Sequence, residues 1–272
     1  MNQTTIKKSI TLKGIGIHTG KKVSLKISPL EEDQGIIFKR SKNIVLNVSN
    51  IVDTTRAITL GKKENSITTI EHLVASIYMS GITNLLIEVD NEEIPALDGS
   101  SLLFIKALEK AGIRRQSRPA RVIKIKKPLF IIEKDKYIGV LPSDQFGITY
   151  HINFPHPDLQ NRIINLPCID QKVFKSQIAG ARTFGFMREV ESLMKKGLAL
   201  GGSMKNAVVL TEDGYLNKRL RFKDECLRHK VLDLVGCLGI LGIPVKGHFL
   251  AYRSGHTLDL ELVKKIAAIY KI

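Results

Sequence analysis

The stretch Leu227-Arg228-His229-Lys230-Val231-Leu232-Asp233-Leu234-Val235-Gly236-Cys237-Leu238-Gly239-Ile240-Leu241-Gly242-Ile243 carries two kinds of information. Its apolar residues Leu227, Val231, Leu234, Val235, Leu238 and Leu241 recur at i, i+4, i+7 and i+8, one stripe of an α-helix. His229, Asp233 and Cys237 fall on a different stripe. Residues four apart on a helix stand about 5–6 Å apart on one face, so His229 and Asp233 can ligate a single ion. His72, in Glu71-His72, offers a third donor. Three nitrogen and oxygen ligands with a fourth position left for water is the pattern of a catalytic zinc (Zn2+) site, whereas a structural zinc is closed by four ligands, usually including cysteine. The same stretch runs through Gly242-Ile243 into a strand, and His72 is likewise followed by helix, Gly81-Ile82 and strand. The echo needs a four-residue length difference and hints at a duplicated unit.

Working outward, the first half opens with short alternating strands such as Val23–Ile27, followed by a helix from about Thr69 with Ile70, Leu73, Val74 and Ile77 on one side. A strand over Asn84–Val89 and a helical stretch around Ser101–Ala111 come next. The basic, proline-bearing segment Arg114-Arg115-Gln116-Ser117-Arg118-Pro119 then reads as a linker. This divides the chain into an N-terminal unit, residues 1–116, and a C-terminal unit, residues 117–272. The second half repeats the outline, with strands between about Ala120 and Phe154, a short helix near Met187–Lys196, the His-Asp helix, a strand at Lys246–Tyr252 and a terminal helix.

With 272 residues, 43% of them hydrophobic, the chain can build real cores. Cys168, Cys226 and Cys237 form no Cys-x-x-Cys pair, so a disulfide framework is not expected and a cytoplasmic protein is. No apolar signal core opens the chain, and the most hydrophobic run, Val231 to Val245, is too short for a membrane span and contains Asp233. A net charge of +16, from 42 basic and 26 acidic residues, draws anionic partners. No nucleic acid partner is expected: the lysines are scattered, tryptophan is absent, and no aromatic–basic interleaving marks a base-stacking surface.

Eight segments in one order give this chain a family resemblance. They are Gly14–Gly20 (Gly-Ile-Gly-Ile-His-Thr-Gly), Thr69–Leu73, Glu93–Ser100 (Glu-Ile-Pro-Ala-Leu-Asp-Gly-Ser), Ala181–Arg188 (Ala-Arg-Thr-Phe-Gly-Phe-Met-Arg), Leu200–Ser203, Arg221–Glu225, the His-Asp helix, and Ala251–His256. Along nearly its whole length the sequence resembles the zinc-dependent UDP-3-O-acyl-N-acetylglucosamine deacetylases of lipid A synthesis. The resemblance implies an α+β fold of two similar domains, each a sheet with helices, packed helix side to helix side with the active site between them. It implies hydrolysis of the acetamide of a UDP-linked acylated amino sugar; a monomer and peripheral contact with the inner membrane face are further expectations.

The resemblance also implies roles for residues. His72, His229 and Asp233 would bind zinc, in agreement with the spacing; Glu71 would be the general base, and Thr183 would help stabilise the oxyanion. His256, after Ser254-Gly255, would act as cation and proton donor to the leaving amine, and Lys230 would face the phosphate side of the substrate. Phe154 matches a position that stacks on uracil, and Lys136 and Arg253 match basic phosphate or uridine contacts. For the acyl chain, Phe184 in the Ala181–Arg188 segment and the stripe Phe186, Met187, Val190, Leu193 and Met194 would line an apolar passage. Taken from periodicity alone, that stripe fits an ordinary core helix equally well.

Two positions depart from the family. Cys237 stands where an aspartate orients and charges the catalytic histidine, and a thiol, neutral at pH 7, cannot hold an imidazolium as a carboxylate does. Asp259 replaces a typical asparagine three residues beyond His256; it either compensates or caps a helix from an exposed position. Three functions therefore compete: an active deacetylase, a weakened or inactive relative that still binds sugar nucleotide, and a basic module for nucleic acid. The first is the one expected.

Overall fold

A computed structural model describes residues 2–272. In the first half, strand β1 (Asn2–Ile6) is followed by β2 (Ile10–Ile15), β3 (Lys22–Pro29), β4 (Ile36–Lys39) and β5 (Asn43–Val45), then a small hairpin of β6 (Ile51–Asp53) and β7 (Thr59–Leu60). Helix α1 (Glu71–Met79), strand β8 (Leu85–Val89) and helix α2 (Leu102–Ala111) complete it. The sheet order is β2-β3-β8-β4-β5, with β8 antiparallel to β3 and parallel to β4. Its buried face is built by alternation: Val23, Leu25 and Ile27 on β3 and Leu85, Ile87 and Val89 on β8 point into the core.

Strand β9 (Ile113–Pro119) leads into β10 (Ile123–Lys124), β11 (Leu129–Glu133), β12 (Lys136–Leu141), β13 (Phe146–Ile152) and β14 (Arg162–Leu166). A single turn, α3 (Gln171–Val173), precedes β15 (Thr183–Phe186), α4 (Met187–Lys195) and β16 (Ala207–Leu210), in which the two strands pair in parallel around the crossover helix. The chain ends with α5 (Glu225–Gly239), β17 (Val245–Tyr252) and α6 (His256–Tyr270). The second sheet runs β11-β12-β17-β13-β14, with β17 antiparallel to β12 and parallel to β13. Along this five-strand path the order and direction are those of the first sheet, the second adding only β10 beside the start of β17, and in each the central strand, β8 or β17, lies between two helices in sequence. The duplication hinted at by His-helix-Gly-Ile-strand is therefore a property of the topology. Gly81 and Gly242 both take left-handed backbone, φ +66° and +64°, at the helix-to-strand turn, where glycine bears no Cβ penalty. The four-residue length difference is about one turn of helix, carried by the longer α5.

The segment expected to be a linker is instead β9. It pairs antiparallel with β1, and Gln116 is buried, bonding Asn84 (2.8 Å) and the Leu30 carbonyl (3.0 Å). Residues 113–119 are thus tied to the first half, and a boundary between 116 and 117 cuts a paired strand. The charged composition fits a linker because a two-stranded ribbon leaves most of its side chains in solvent, here Arg114, Arg115, Ser117 and Arg118, with Gln116 alone in the strand buried.

The helix layers of the two halves meet along α1 and α5. A Cβ placed on Gly236 would sit 2.4 Å from the carbonyl oxygen of Glu71, and one on Gly239 would sit 2.7 Å from Val74. Backbone approaches backbone here because nothing intervenes. Gly236→Ala should accordingly force the helices apart and destabilise the protein by about 1–3 kcal/mol. Denaturant unfolding of the variant measures this, and unchanged stability would mean the two helices are not in contact there. Among the described residues no helix is long and apolar enough to cross a membrane.

Candidate metal centre and active site

Glu71 and His72 open α1, and His229, Lys230 and Asp233 lie on α5, so the α1–α5 contact brings together the groups that the sequence separates by more than half its length. The donor atoms of His72, His229 and Asp233, all buried, fall within 4.8 Å of one another. Asp233 Oδ1 is 3.3 Å from His229 Nε2 and 3.8 Å from His72 Nε2. Ligands about 2.0–2.1 Å from a tetrahedral ion stand about 3.3 Å apart, so the cluster has the spacing of a metal site. His229 Nδ1 donates to the Ala181 carbonyl at 3.0 Å, which fixes the tautomer that leaves Nε2 as the donor atom. The other carboxylate oxygen of Asp233 accepts from Lys230 Nζ at 2.8 Å. Lys230 is buried, so it is not the solvated lysine that an isolated helix would show.

Burial sets the proton affinities of these groups. It lowers His72 to about 3, with the neighbouring His229 adding to the effect, and lowers His229 against the opposing charge of Asp233. Both imidazoles are thus neutral, as ligands must be. Burial would raise Asp233, but the charge of Lys230, with the interactions of the neighbouring imidazoles added to it, outweighs burial and holds the carboxyl well below the usual range. Glu71, buried and accepting from the Ile58 amide at 3.0 Å, is pushed up to about 8 by burial and then by Asp233. His256 is held down at about 4, chiefly by burial.

A cavity of about 800 Å³ gathers every candidate metal, catalytic and substrate-binding residue named from the sequence; Cys237 and Asp259 lie behind it. The three candidate ligands lie on it together with Glu71, Thr183, Lys230 and His256. Lys136 and Arg253 lie on it with Glu133; Arg253 is paired with Asp135. Phe154 is also there, edge-on to Phe184 (5.7 Å between centroids) and beside Phe186 (6.0 Å). Met187, Val190, Leu193 and Met194 of α4 complete an apolar wall, and no residue of α4 is buried. The stripe is therefore not that of an ordinary core helix: the face that a core helix would bury is open to the cavity, with Met187 51% and Met194 47% exposed.

Several contributors lie outside the site roles that the sequence assigns. Glu93 is fully buried, and its carboxylate accepts from the amides of His18 (2.9 Å) and Thr19 (2.9 Å) and from the hydroxyls of Thr19 (2.7 Å) and Thr69 (3.0 Å). It thereby ties the Gly14–Gly20 loop to Thr69, a β-branched residue held at φ +62° two positions before Glu71. His18 itself lines the cavity, and so does Arg56, which pairs with Glu189 of α4 at 3.0 Å. Asp259 is completely buried and the N-cap of α6 is Gly255, so of its two expected roles the exposed cap is not the one it takes. The foot of α5 is held by Glu225, which accepts from Arg182 Nε (2.8 Å), Arg182 Nη2 (3.1 Å) and the amides of Arg182 (3.0 Å) and Arg221 (2.7 Å).

That last cluster has a definite pH signature. Burial works to raise Glu225, but the bonds from Arg182 and the two amides prevail and keep its carboxyl below the ordinary carboxylate value. The folded pKa is depressed, so the stabilisation is fully present above the unfolded value and is lost as pH falls through the folded one. Arg182→Met, which strands a buried carboxylate, should cost about 3–5 kcal/mol at pH 7. The gap to wild type should shrink on acidification, and denaturant unfolding at pH 7 and pH 4 reads both. A gap that stays constant or widens in acid would show that the pair does not depend on an ionised Glu225.

Compared with known proteins, the chain matches the family model described as UDP-3-O-acyl N-acetylglycosamine deacetylase over residues 3–268. The UDP-3-O-acyl-N-acetylglucosamine deacetylase of Leptospira biflexa serovar Patoc is 44% identical over 272 residues, 98% of this chain and 90% of the relative. The enzyme of the same name from Thermodesulfovibrio yellowstonii is 43% identical over 267 residues, 97% and 91% of the two chains. That of Helicobacter pylori is 44% identical over 272 residues, 98% and 92%.

Proposed function

The chain belongs to the UDP-3-O-acyl N-acetylglycosamine deacetylase family, and from that membership we propose that it hydrolyses the acetamide of UDP-3-O-acyl-N-acetylglucosamine with zinc, giving the free amine and acetate, in lipid A biosynthesis. The observation that carries this reading is the gathering of His72, His229 and Asp233 on the floor of a cavity with one apolar wall. The donor set is two neutral imidazoles and one carboxylate with no cysteine, which fits a catalytic rather than a structural zinc. When bound, zinc supplies Lewis acidity, polarising a carbonyl and lowering the pKa of water.

The chain's own groups do the rest. Glu71, adjacent to a ligand and raised by burial and Asp233, takes the proton of the attacking water; a cation beside it favours its carboxylate form. Thr183, at the start of β15 on the cavity wall, donates its hydroxyl to the oxyanion that forms on the acetyl carbonyl. His256 gives a proton to the leaving amine. Lys230, fixed against Asp233, presents its charge to the polar side of the substrate. Lys136 and Arg253 serve the diphosphate, Phe154 the uracil, and α4 with Phe184 and Phe186 the acyl chain. The basic excess of the chain favours an anionic substrate and an anionic membrane face alike. Cys237 favours a second reading, a relative that binds the sugar nucleotide but turns it over weakly, and turnover of the purified protein separates the two.

Chelation should abolish deacetylation and zinc should restore it; full activity in rigorously metal-free protein would refute zinc dependence. His72→Ala and Asp233→Ala should lose both metal and rate. Glu71→Gln should keep the metal and lose about 10²–10⁴-fold in kcat; wild-type turnover in that variant would remove Glu71 from the role of base.

The apolar wall should make efficiency depend on the acyl chain, each buried methylene contributing about 0.8 kcal/mol. A substrate lacking the chain should have a much lower kcat/KM, and Val190→Asp should abolish most of the difference between the two substrates. Equal efficiency with and without the chain in the wild-type protein would leave α4 without that function.

A further inference from the structure

We propose that Asp259 is the positioning residue of His256, supplying from the helix of the histidine itself the carboxylate that α5 lacks at Cys237. The inference rests on the deacetylase reading for the role of His256, and on four structural observations for the partner. His256 and Asp259 occupy the first and fourth positions of α6, and residues three apart on a helix are surface neighbours. Both are complementary orphans: His256 Nδ1 and Asp259 Oδ2 are buried and neither has a hydrogen-bond partner, so they do not bond each other in this arrangement and a rotation of the imidazole has to bring them together. Leaving a buried donor or acceptor unsatisfied costs about 1–3 kcal/mol for each group, so two such groups on one turn favour a side-chain arrangement in which they serve each other.

The alternatives around His256 are already committed. Among the described residues, Asp259 Oδ2 is the only buried carboxylate oxygen without a partner. Asp233 faces His72 and His229 with one oxygen and holds Lys230 with the other, and Glu71 accepts the Ile58 amide. Cys237 is fully buried on α5, and burial together with the charge of Asp259 keeps its thiol neutral. The same proximity explains why a second carboxylate is missing from α5: two carboxylates facing each other in a dry site would repel.

Asp259 is also built to hold its orientation. Ser254 Oγ donates to Asp259 Oδ1, which leaves Oδ2 as the free oxygen, and Tyr150 Oη donates to the Ser254 carbonyl at 2.8 Å, fixing the turn that launches α6. Tyr150 and Asp259 are both fully buried. A carboxylate carried on the imidazole's own turn fixes the tautomer that leaves Nε2 available toward the cavity and stabilises the imidazolium when it forms.

Asp259→Asn keeps the shape and can still accept from Ser254, so folding should survive. We expect it to lower kcat about 10–100-fold, with KM and zinc content unchanged. Cys237→Asp combined with Asp259→Asn moves the carboxylate to α5 and should recover most of the lost kcat. Wild-type kcat in Asp259→Asn, or a double variant no faster than the single one, would overturn the assignment. Nitrogen-15 NMR of the His256 ring in the folded protein gives a readout independent of turnover: the Nδ1 signal should differ between wild type and Asp259→Asn, and identical signals would overturn the pairing. A wild-type protein with no deacetylase activity would instead refute the proposed function and leave the ring measurement to decide the partner.

Discussion

Everything at the centre of this molecule depends on the approach of two helix backbones. Glu71 and His72 lie on α1, Lys230, His229 and Asp233 on α5, and these groups are useful only at the separation the helices allow. Helix axes usually pack 8–10 Å apart, depending on the side chains between them, and at Gly236 there is no side chain to intervene. The ligand atoms then fall within 4.8 Å without any loop having to reach across. A site carried on packed helices is held more rigidly than one on loops, and an ion ligated from both helices would fasten them further.

The electrostatics follow from that geometry. Drawing the helices together places two histidines, a lysine and two carboxylates in a region that excludes water, where an unpaired charge costs several kcal/mol. The groups resolve this locally: the imidazoles lose their protons, Lys230 keeps its charge against Asp233, and Glu71 becomes a weak acid that a nearby cation can switch. At the margins, the single carboxylates Glu93 and Glu225 do the anchoring. Each gathers at least four donors from segments distant in sequence, one holding the approach to α1 and the other the foot of α5.

Which features were legible from the sequence follows from the same division between local and tertiary causes. The helices α1, α5 and α6 and strands such as β3 and β17 are written in periodicity, because each buries one face against a layer. The His-x-x-x-Asp spacing is likewise a local fact of helix geometry. Residues 114–118 were opaque because a charged ribbon strand and a charged loop have the same composition. The stripe on α4 was ambiguous because periodicity shows that a face is apolar, not whether it meets a core or a cavity. Asp259 resembled a cap because it lies in the first turn of a helix; its burial comes from Ser254, Tyr150 and α5, which only the fold brings together. Glu93 and Glu225 lie inside two of the segments that carry the resemblance, yet no spacing marks either as an anchor, since donors such as His18, Thr69 and Arg182 come to them only through the fold.

Duplication explains the scaffold, and its imperfections explain the site. Both halves carry an insertion at the same topological point, between the last strand of the sheet order and the helix that packs at the centre: the β6–β7 hairpin in one and β15–α4–β16 in the other. Arg56, after the first strand of the hairpin, pairs with Glu189 of α4 at 3.0 Å, so the two insertions meet at the rim of the cavity. The repeated sheets provide a rigid frame in which α1 and α5 can be pressed together. The second insertion then gives that junction an apolar side through α4, while the first sends only Arg56 to the cavity. A strictly symmetric duplicate would present two identical walls, so the difference between the insertions is what gives the cavity a direction along which the proposed amphipathic substrate would be oriented.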